Sequence, residues 1–381
     1  MENKNPILFE SKNKGKSIGI FSNSFWNLKN FRRDIIEKLY REGYKVVLIY
    51  PYADDVHKLD FEYCKHIVLH ELKVISKSIF ADYKFYNELY KVLVKFPVDL
   101  LLCFTIKPNI YGSIISKKLG ISCISTVTGL GKEIIKGNLF SQFLIAFYKR
   151  AVMSNTYVVF HNVEDLNSFS QKANPSNYMV INGSGVNTEI FCPMIDKVRN
   201  KSQVFLFSGR LIKSKGILEY LEAARIVKAE FPQIEFWIIG KHSEEELDVY
   251  NLLNEYQELG IIVYKGFIEY PVDILHQVTA LVLPSYREGK SKSILEAMSM
   301  EIPVICSDVP GCHDLIKNGW NGFLVSPKDT SSLVHSIKQV IEAKPIELSE
   351  MGKRSRGEVL DHYDVNIISS KYLQLVESIV G

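Results

Sequence analysis

No run of the sequence approaches the ~18 consecutive apolar residues of a membrane-spanning helix, so any membrane contact is expected to come from one face only. The six cysteines, Cys64, Cys103, Cys123, Cys192, Cys306 and Cys312, are scattered, without a Cys-x-x-Cys pair. That spacing argues against a zinc site and a disulfide framework and fits a reducing cytosol. Charge of neither sign dominates. A formal net charge of +3 over 381 residues is too small to argue for nucleic acid, while leaving room for a local basic patch. No Gly-x-Gly-x-x-Gly turn follows the first strand, where Ser22-Asn23-Ser24-Phe25 stands instead. This argues against a nicotinamide-dependent oxidoreductase. No Asp-x-Asp motif sits at a strand end, and Asp54-Asp55 is loop-like, so a metal holding a diphosphate is not indicated. Met1 to Lys16 is polar and lacks an apolar core; a flexible tail is expected rather than a signal peptide.

What the chain does have is alternation. Short β-rich runs and amphipathic helical stretches follow one another, starting with a strand at Ser17 to Ser22, a helix over about 28–41 and a strand at Tyr44 to Ile49. A weaker strand near His66 to Leu69, a helix over about 78–95, the run Asp99 to Phe104, a helix from about Pro108 and a strand at Ile121 to Thr126 continue it. Thr156 to Phe160 and Tyr178 to Ile181 close the first series. A second series begins at Val204 to Ser208 and runs through Ile234 to Ile239, Ile261 to Tyr264, Ala280 to Leu283, Pro303 to Cys306 and Gly322 to Val325. This pattern predicts an α/β fold: two doubly wound domains with parallel strands covered on both faces. The segment Gly185 to Pro193 and the polar stretch to Ser202 read as a linker. The expected division is a tail at 1–16, a first domain at 17–190 and a second at 191–381, the last helix (about 365–381) packing back on the first. Ligands of such sheets bind beyond the carboxyl ends of the strands, so chemistry is sought in the loops that follow them.

In the second half, Ser208-Gly209-Arg210-Leu211-Ile212-Lys213-Ser214-Lys215-Gly216 follows a strand and precedes a helix. Gly209 permits a tight exit, and Arg210 and Lys215 bring two cations near a helix N-terminus, which suits a diphosphate. A solvated basic loop is the plainer alternative. Further on, Leu283-Pro284-Ser285-Tyr286-Arg287-Glu288-Gly289 leads to a helix opening near Ser291, with Glu296 inside it. A carboxylate accepts two hydrogen bonds from sugar hydroxyls, and the amides from Lys290 to Ser293 are placed to receive phosphate. Two glutamates at this spacing also arise by chance.

The surroundings decide between these readings. Gly209-Arg210-Leu211 through Lys215-Gly216, Pro284 through Glu288-Gly289 to Glu296-Ala297-Met298, and Pro303-Val304-Ile305 through Asp308-Val309-Pro310-Gly311, followed by Asn318-Gly319-Trp320-Asn321-Gly322, stand in this order. Together they resemble the family-4 retaining glycosyltransferases, whose fold is the two-domain GT-B type. The resemblance implies that Arg210 and Lys215 hold the donor diphosphate, that Glu288 contacts the transferred sugar and that Glu296 takes the ribose hydroxyls. It also puts backbone near Gly266 and Phe267 beside the nucleobase and assigns Gly289, Lys290, Ser291 and Ser293 to the donor site. The family usually has Gly-Phe-Pro or similar after the first glutamate, whereas this chain has Gly289-Lys290-Ser291. Lys290 and Lys292 are read either as phosphate or acidic-sugar contacts or as solvated surface lysines.

The first half should bind the acceptor. Phe104-Thr105-Ile106-Lys107-Pro108-Asn109, Thr126-Val127-Thr128-Gly129-Leu130-Gly131 and Asn30-Phe31-Arg32 resemble the branch that builds bacterial surface polysaccharides and protein-linked glycans on polyprenyl-diphosphate carriers. Arg32 and Lys107 are the candidates for an acceptor phosphate, with Thr128 and Gly129 beside them; a helix-surface arginine and a snorkelling lysine are the alternatives. Many relatives carry a histidine where Thr128-Gly129 stands, so no general base is assigned. His161, after a strand, is read as structural before it is read as a cleft residue. Gly137 to Arg150, with Lys132 and Lys136, is either a core-facing helix or an interfacial one. The resulting expectation is a metal-independent enzyme without a cofactor that moves a hexose or N-acetylhexosamine from a nucleotide sugar, most simply a UDP-sugar. Its acceptor would be a polyprenyl-diphosphate-linked saccharide, at the cytoplasmic face of an anionic membrane. The rival readings are a nucleotide-sugar 2-epimerase and a non-catalytic sugar-nucleotide-binding protein.

Overall fold

A computed structural model describes residues 15–52, 60–72, 79–129, 139–170, 176–194, 202–243 and 245–381. Most of the expected tail, Asp54-Asp55, and the stretch holding Leu130, Gly131, Lys132 and Lys136 lie outside them. The chain forms two compact units, one running to Ile181 and including Ile368–Gly381, the other spanning Asn182–Ile367. The first crossing thus falls before the linker expected at 185–202. The reason is that Val186 donates its amide to the Tyr363 carbonyl (2.9 Å) and accepts from Val365 (3.1 Å), which ties that segment into the second unit.

The first unit is built on seven strands: β1 (Ser17–Phe21), β2 (Lys45–Pro51), β3 (Lys65–Leu69), β4 (Leu100–Phe104), β5 (Ser122–Val127), β6 (Tyr157–Phe160) and β7 (Tyr178–Val180). Their order is β3-β2-β1-β4-β5-β6-β7, every pair parallel. Both faces are covered, so the inner strands are continuous apolar runs rather than alternating ones. Leu100, Leu102 and Phe104 point into one layer of core, while Leu101 and Cys103 point into the other. The order reverses between β1 and β4, and the loops after those strands flank the switch point where a ligand fits.

The helices of this unit are α1 (Phe25–Phe31), α2 (Arg33–Arg41), α3 (Ile79–Lys95), α4 (Ile106–Leu119), α5 (Leu139–Val152) and α6 (Val163–Ser170). Where the sequence predicts one helix over 28–41, the structure has two, broken at Arg32, whose backbone leaves the helical region (φ −126°, ψ 0°). Hydrophobic periodicity survives such a break, so sequence pattern alone passes over it. The final helix packs Ile368, Tyr372, Leu375 and Val376 into the core of the first unit.

The second unit holds β8 (Val204–Ser208), β9 (Glu235–Ile239), β10 (Val263–Tyr264), β11 (Ala280–Leu283), β12 (Val304–Ser307) and β13 (Phe323–Val325). The order is β10-β9-β8-β11-β12-β13, again parallel throughout. Its helices are α7 (Ile217–Glu230), α8 (Leu247–Glu258), α9 (Val272–Leu275), α10 (Lys292–Ser299), α11 (Thr330–Glu342) and α12 (Pro345–His362); the last helix of the chain is α13 (Val365–Val380). Here the switch point lies between β8 and β11. The loops that follow those two strands carry the two strongest motifs.

Candidate active site

After β8 the chain makes a single turn of 3-10 helix at Lys213–Lys215 and enters α7 through Gly216, at φ +74°. A Cβ on Gly216 would lie 2.0 Å from the Pro284 carbonyl oxygen, so only glycine lets this loop meet the one after β11. The Tyr286 amide donates to the Ser214 carbonyl at 3.0 Å, closing the contact. The two motifs, seventy residues apart in sequence, become neighbouring walls. Gly240, at φ +149°, approaches the Gly209 carbonyl so closely that a Cβ there would sit 1.7 Å away. This brings the ends of β8, β9 and β10 together beside exposed Phe267.

Two charged groups, Lys215 and Glu288, meet at this junction. Lys215 Nζ forms an ion pair with Glu288 Oε1, and the buried Ser285 hydroxyl donates to the same oxygen at 2.7 Å. Both charged side chains are mostly shielded, Glu288 more than Lys215. Arg210 is exposed at the mouth of the loop. Glu296 lies in α10, buried, with Lys292 Nζ at 3.8 Å. Burial pushes its carboxyl up to about 7, against a weaker downward pull from Lys292. A half-protonated carboxyl in a shielded wall accepts hydroxyl hydrogen bonds fully only after losing its proton.

The start of α10 is less open than the sequence suggests. Ser291 donates its amide to the Gly311 carbonyl at 3.3 Å, and Glu288 donates its own to Pro310 at 3.1 Å. Ser291 makes no side-chain cap on the helix; its hydroxyl lies 3.3 Å from that of Ser293. Lys290 does not project outward: its side chain is 2% exposed and its ammonium pairs with Asp314. The geometry does not match the reading of this residue as a solvated surface lysine. Ser285, Pro310 and Gly311 lie within the sequence motifs and Asp314 just beyond them, and none of the four carries a role that the motifs predict. Their part is to fix the backbone and charge around Glu288, which spacing does not reveal.

In the first unit Arg32 is 1% exposed and stacks over the Phe104 ring at 4.0 Å. Burial lowers its pKa to about 10, with Tyr372 acting in the opposite sense. A helix-surface arginine is therefore ruled out: the helix break turns the guanidinium inward, against the ends of β4 and β5, where Tyr372 and Thr126 share a 3.0 Å hydrogen bond. Lys107, in the first turn of α4, pairs with Asp82 at 2.9 Å. Thr128 and Gly129 stand at the end of β5, partly exposed, Gly129 at φ +135°. Thr105, before α4, adopts φ +76°, a region that costs a β-branched residue energy, and its hydroxyl is buried without a partner among the described residues. His161 is buried. It lies beside Asn162 and Asp165, where the Asp165 amide donates to Asn162 at 2.7 Å.

Comparison with known proteins agrees with this geometry. Residues 21–162 match the model of the glycosyl transferase 4-like family, and residues 194–358 match that of the glycosyl transferases group 1. The chain is 26% identical, over 95% of its length and 99% of the relative's, to an N,N'-diacetylbacillosaminyl-diphospho-undecaprenol alpha-1,3-N-acetylgalactosaminyltransferase of Campylobacter jejuni. It is 28% identical, over 78% of its length and 81% of the relative's, to a UDP-Gal:alpha-D-GlcNAc-diphosphoundecaprenol alpha-1,3-galactosyltransferase of Escherichia coli. Among solved structures, sucrose-phosphate synthase from Thermosynechococcus elongatus superposes with a TM-score of 0.82 at 19% identity, covering 96% of this chain and 99% of that one. HepE from Anabaena, solved with UDP-glucose, gives 0.78 at 18% identity, covering 95% and 99%. Two parallel doubly wound sheets, two family matches that between them run through most of the chain, and the walls around Glu288 converge: the chain belongs to the glycosyltransferases of the GT-B fold, with a glycosyl transferase 4-like first part and a group 1 second part.

Proposed function

We propose that the second unit binds a UDP-sugar and that the enzyme transfers its hexose or N-acetylhexosamine, with retention, to a saccharide carried on a polyprenyl diphosphate. The observation that carries this reading is the shielded ion pair of Lys215 and Glu288, formed where the loops after β8 and β11 meet. Without donor, Lys215 and Glu288 neutralise each other. A bound diphosphate offers Lys215 a second anionic partner, and Glu288 then accepts hydroxyl hydrogen bonds from the sugar. As the glycosidic bond breaks, charge develops on the leaving diphosphate, where Lys215 and Arg210 offset it. The acceptor oxygen attacks the anomeric carbon from the face the diphosphate leaves, and its proton passes to a diphosphate oxygen. No protein base is needed for that step, in keeping with Thr128-Gly129 where relatives carry histidine. In this reading Arg210 and Lys215, rather than a metal, supply the positive charge for the diphosphate.

The lipid-linked acceptor is supported by the undecaprenol-linked substrates named for the two relatives. A membrane seat is supported by α3. Phe80, Tyr83 and Val94 are exposed on it together with Lys84, Lys91 and Lys95, whereas its acids turn inward. Asp82 pairs with Lys107, and Glu88 accepts the amides of His70 and Glu71 at 2.8 and 2.9 Å. The segment expected for this task, 137–150, divides its described residues: Tyr148 is core, while Phe143 and Phe147 are exposed. Among the described residues no helix is long and apolar enough to cross a membrane.

Incubating the purified protein with UDP- and GDP-sugars and a lipid-diphosphate saccharide, and following product mass, tests the reading. One UDP-sugar is expected to give product, unaffected by chelator, and Glu288→Gln or Arg210→Ala to lower turnover by about 10²- to 10³-fold with the fold intact. Full activity in either variant, or strict metal dependence, overturns the assignment of these residues.

A further inference from the structure

Lys290 sits where a buried ammonium is expensive. Its side chain has one carboxylate partner, Asp314, and lies with Nζ 5.5 Å from the centroid of the Tyr363 ring. Its Cβ and Cγ press on Gly183, where a Cβ would come within 2.8 Å of both. An apolar side chain would fill this space without the desolvation penalty of a buried pair. What the ion pair adds is a fixed register between segments.

Those segments are specific ones. Gly183 and Tyr363 border the two points at which the chain passes between units, Ile181/Asn182 and Ile367/Ile368. The crossover segments are joined to each other by the Val186 and Val365 amide bonds and by the Thr188 hydroxyl, which donates to the Asp364 carboxylate at 2.6 Å. On its other side, Lys290 continues the loop of Glu288 and Gly289, which is already hydrogen-bonded to Pro310 and Gly311. Asp314 follows in that second loop. One side chain thus touches the donor loop, its neighbour and both crossovers.

We propose that Lys290 is a positioning residue that ties the Glu288 loop to the paired crossover segments, so that occupancy of the donor site is transmitted to residues 183–186 and 363–365. The proposal rests on the donor-site reading above. A diphosphate that draws Lys215 away from Glu288 changes the hold on this loop from one side only; Lys290 and Asp314 carry that change to the crossovers as a rigid link.

Hydrogen–deuterium exchange of the full chain with and without UDP, in the wild type and in Lys290→Met combined with Asp314→Asn, tests it. The double variant leaves no uncompensated charge, so it reads the comparison even where a single substitution fails to fold. In the wild type UDP is expected to slow exchange across 288–296 and also at 183–186 and 363–365. In the double variant the first protection remains and the second disappears. Its kcat falls about tenfold to a hundredfold, as misplacement of a reacting group does, while the donor KM stays within about threefold. Protection at 288–296 with no response at the crossovers in the wild type, or crossover protection and kcat unchanged in the double variant, overturns the proposal alone. No protection at 288–296 in the wild type overturns the donor-site reading and the proposal together.

Discussion

Glu296 keeps its proton to higher pH than an exposed carboxyl does. Its carboxyl, shielded in α10, is raised from 4.5 to about 7 by burial. A raised carboxyl favours folding while protonated: that contribution is complete below about 4.5 and is lost as pH rises through about 7. Carrying the charge at alkaline pH costs on the order of 3 kcal/mol. Ribose hydroxyls donate best to the ionised form, so affinity for UDP-glucose, whose diphosphate does not titrate here, should weaken by up to about tenfold for each pH unit below ~7. Calorimetric titration of wild type and Glu296→Gln between pH ~5 and ~8 checks this; the variant should bind more weakly and with a flat profile. An equally flat wild-type profile would remove Glu296 from the binding step. At the same scale, reading residue by residue singled out Glu288 and Lys215, which the structure pairs, but not their neighbours. Ser285 and Asp314 act through contacts closed only by folding, and the inward turn of Arg32 depends on a helix break that leaves the apolar periodicity of 25–41 undisturbed.

At the scale of elements, the proposed donor site is an arrangement of backbones before it is an arrangement of charges. Gly311, at φ +79°, lies against the loop of Glu288: a Cβ there would stand 2.5 Å from the Glu288 carbonyl oxygen and 2.8 Å from that of Gly289. Gly311→Ala should therefore force these loops apart, lowering stability by roughly 2 kcal/mol and transfer by about tenfold or more. Urea denaturation and a transfer assay measure the two effects; a variant unchanged in both would show that the loops tolerate separation. Strands and most helices were legible because doubly buried parallel strands leave apolar runs and their helices leave stripes, as at 100–104 and 79–95. Boundaries were less so. Helix α4 starts two residues before the expected Pro108, because Thr105 takes a backbone conformation that its residue type disfavours. Strain of that kind is imposed by surroundings and has no local signature.

For the whole molecule, the distribution of exposed aromatics and lysines on α3 carries a prediction distinct from catalysis. The protein should co-sediment with vesicles containing phosphatidylglycerol and far less with phosphatidylcholine alone. Phe80→Ser with Tyr83→Ser, or Lys84→Glu with Lys91→Glu, should weaken that binding by about tenfold, while Phe143→Ser with Phe147→Ser does so only if α5 shares the seat. Vesicle binding untouched by the α3 variants would discard this helix as the contact. Turnover on a short-chain, water-soluble acceptor should be unaltered by these changes.

The packing of Ile368 to Val376 into the core that also holds Ile18, Leu48 and Leu102 has a consequence for biosynthesis. Residues up to Ile181 leave the ribosome without the helix that carries Tyr372, the hydroxyl partner of Thr126, which follows only after the whole second unit, Asn182–Ile367, has been made. Assembly is therefore not in the order of synthesis. A segment made after the second unit closes the first, and a nascent chain cut short before that helix presents an open core for degradation.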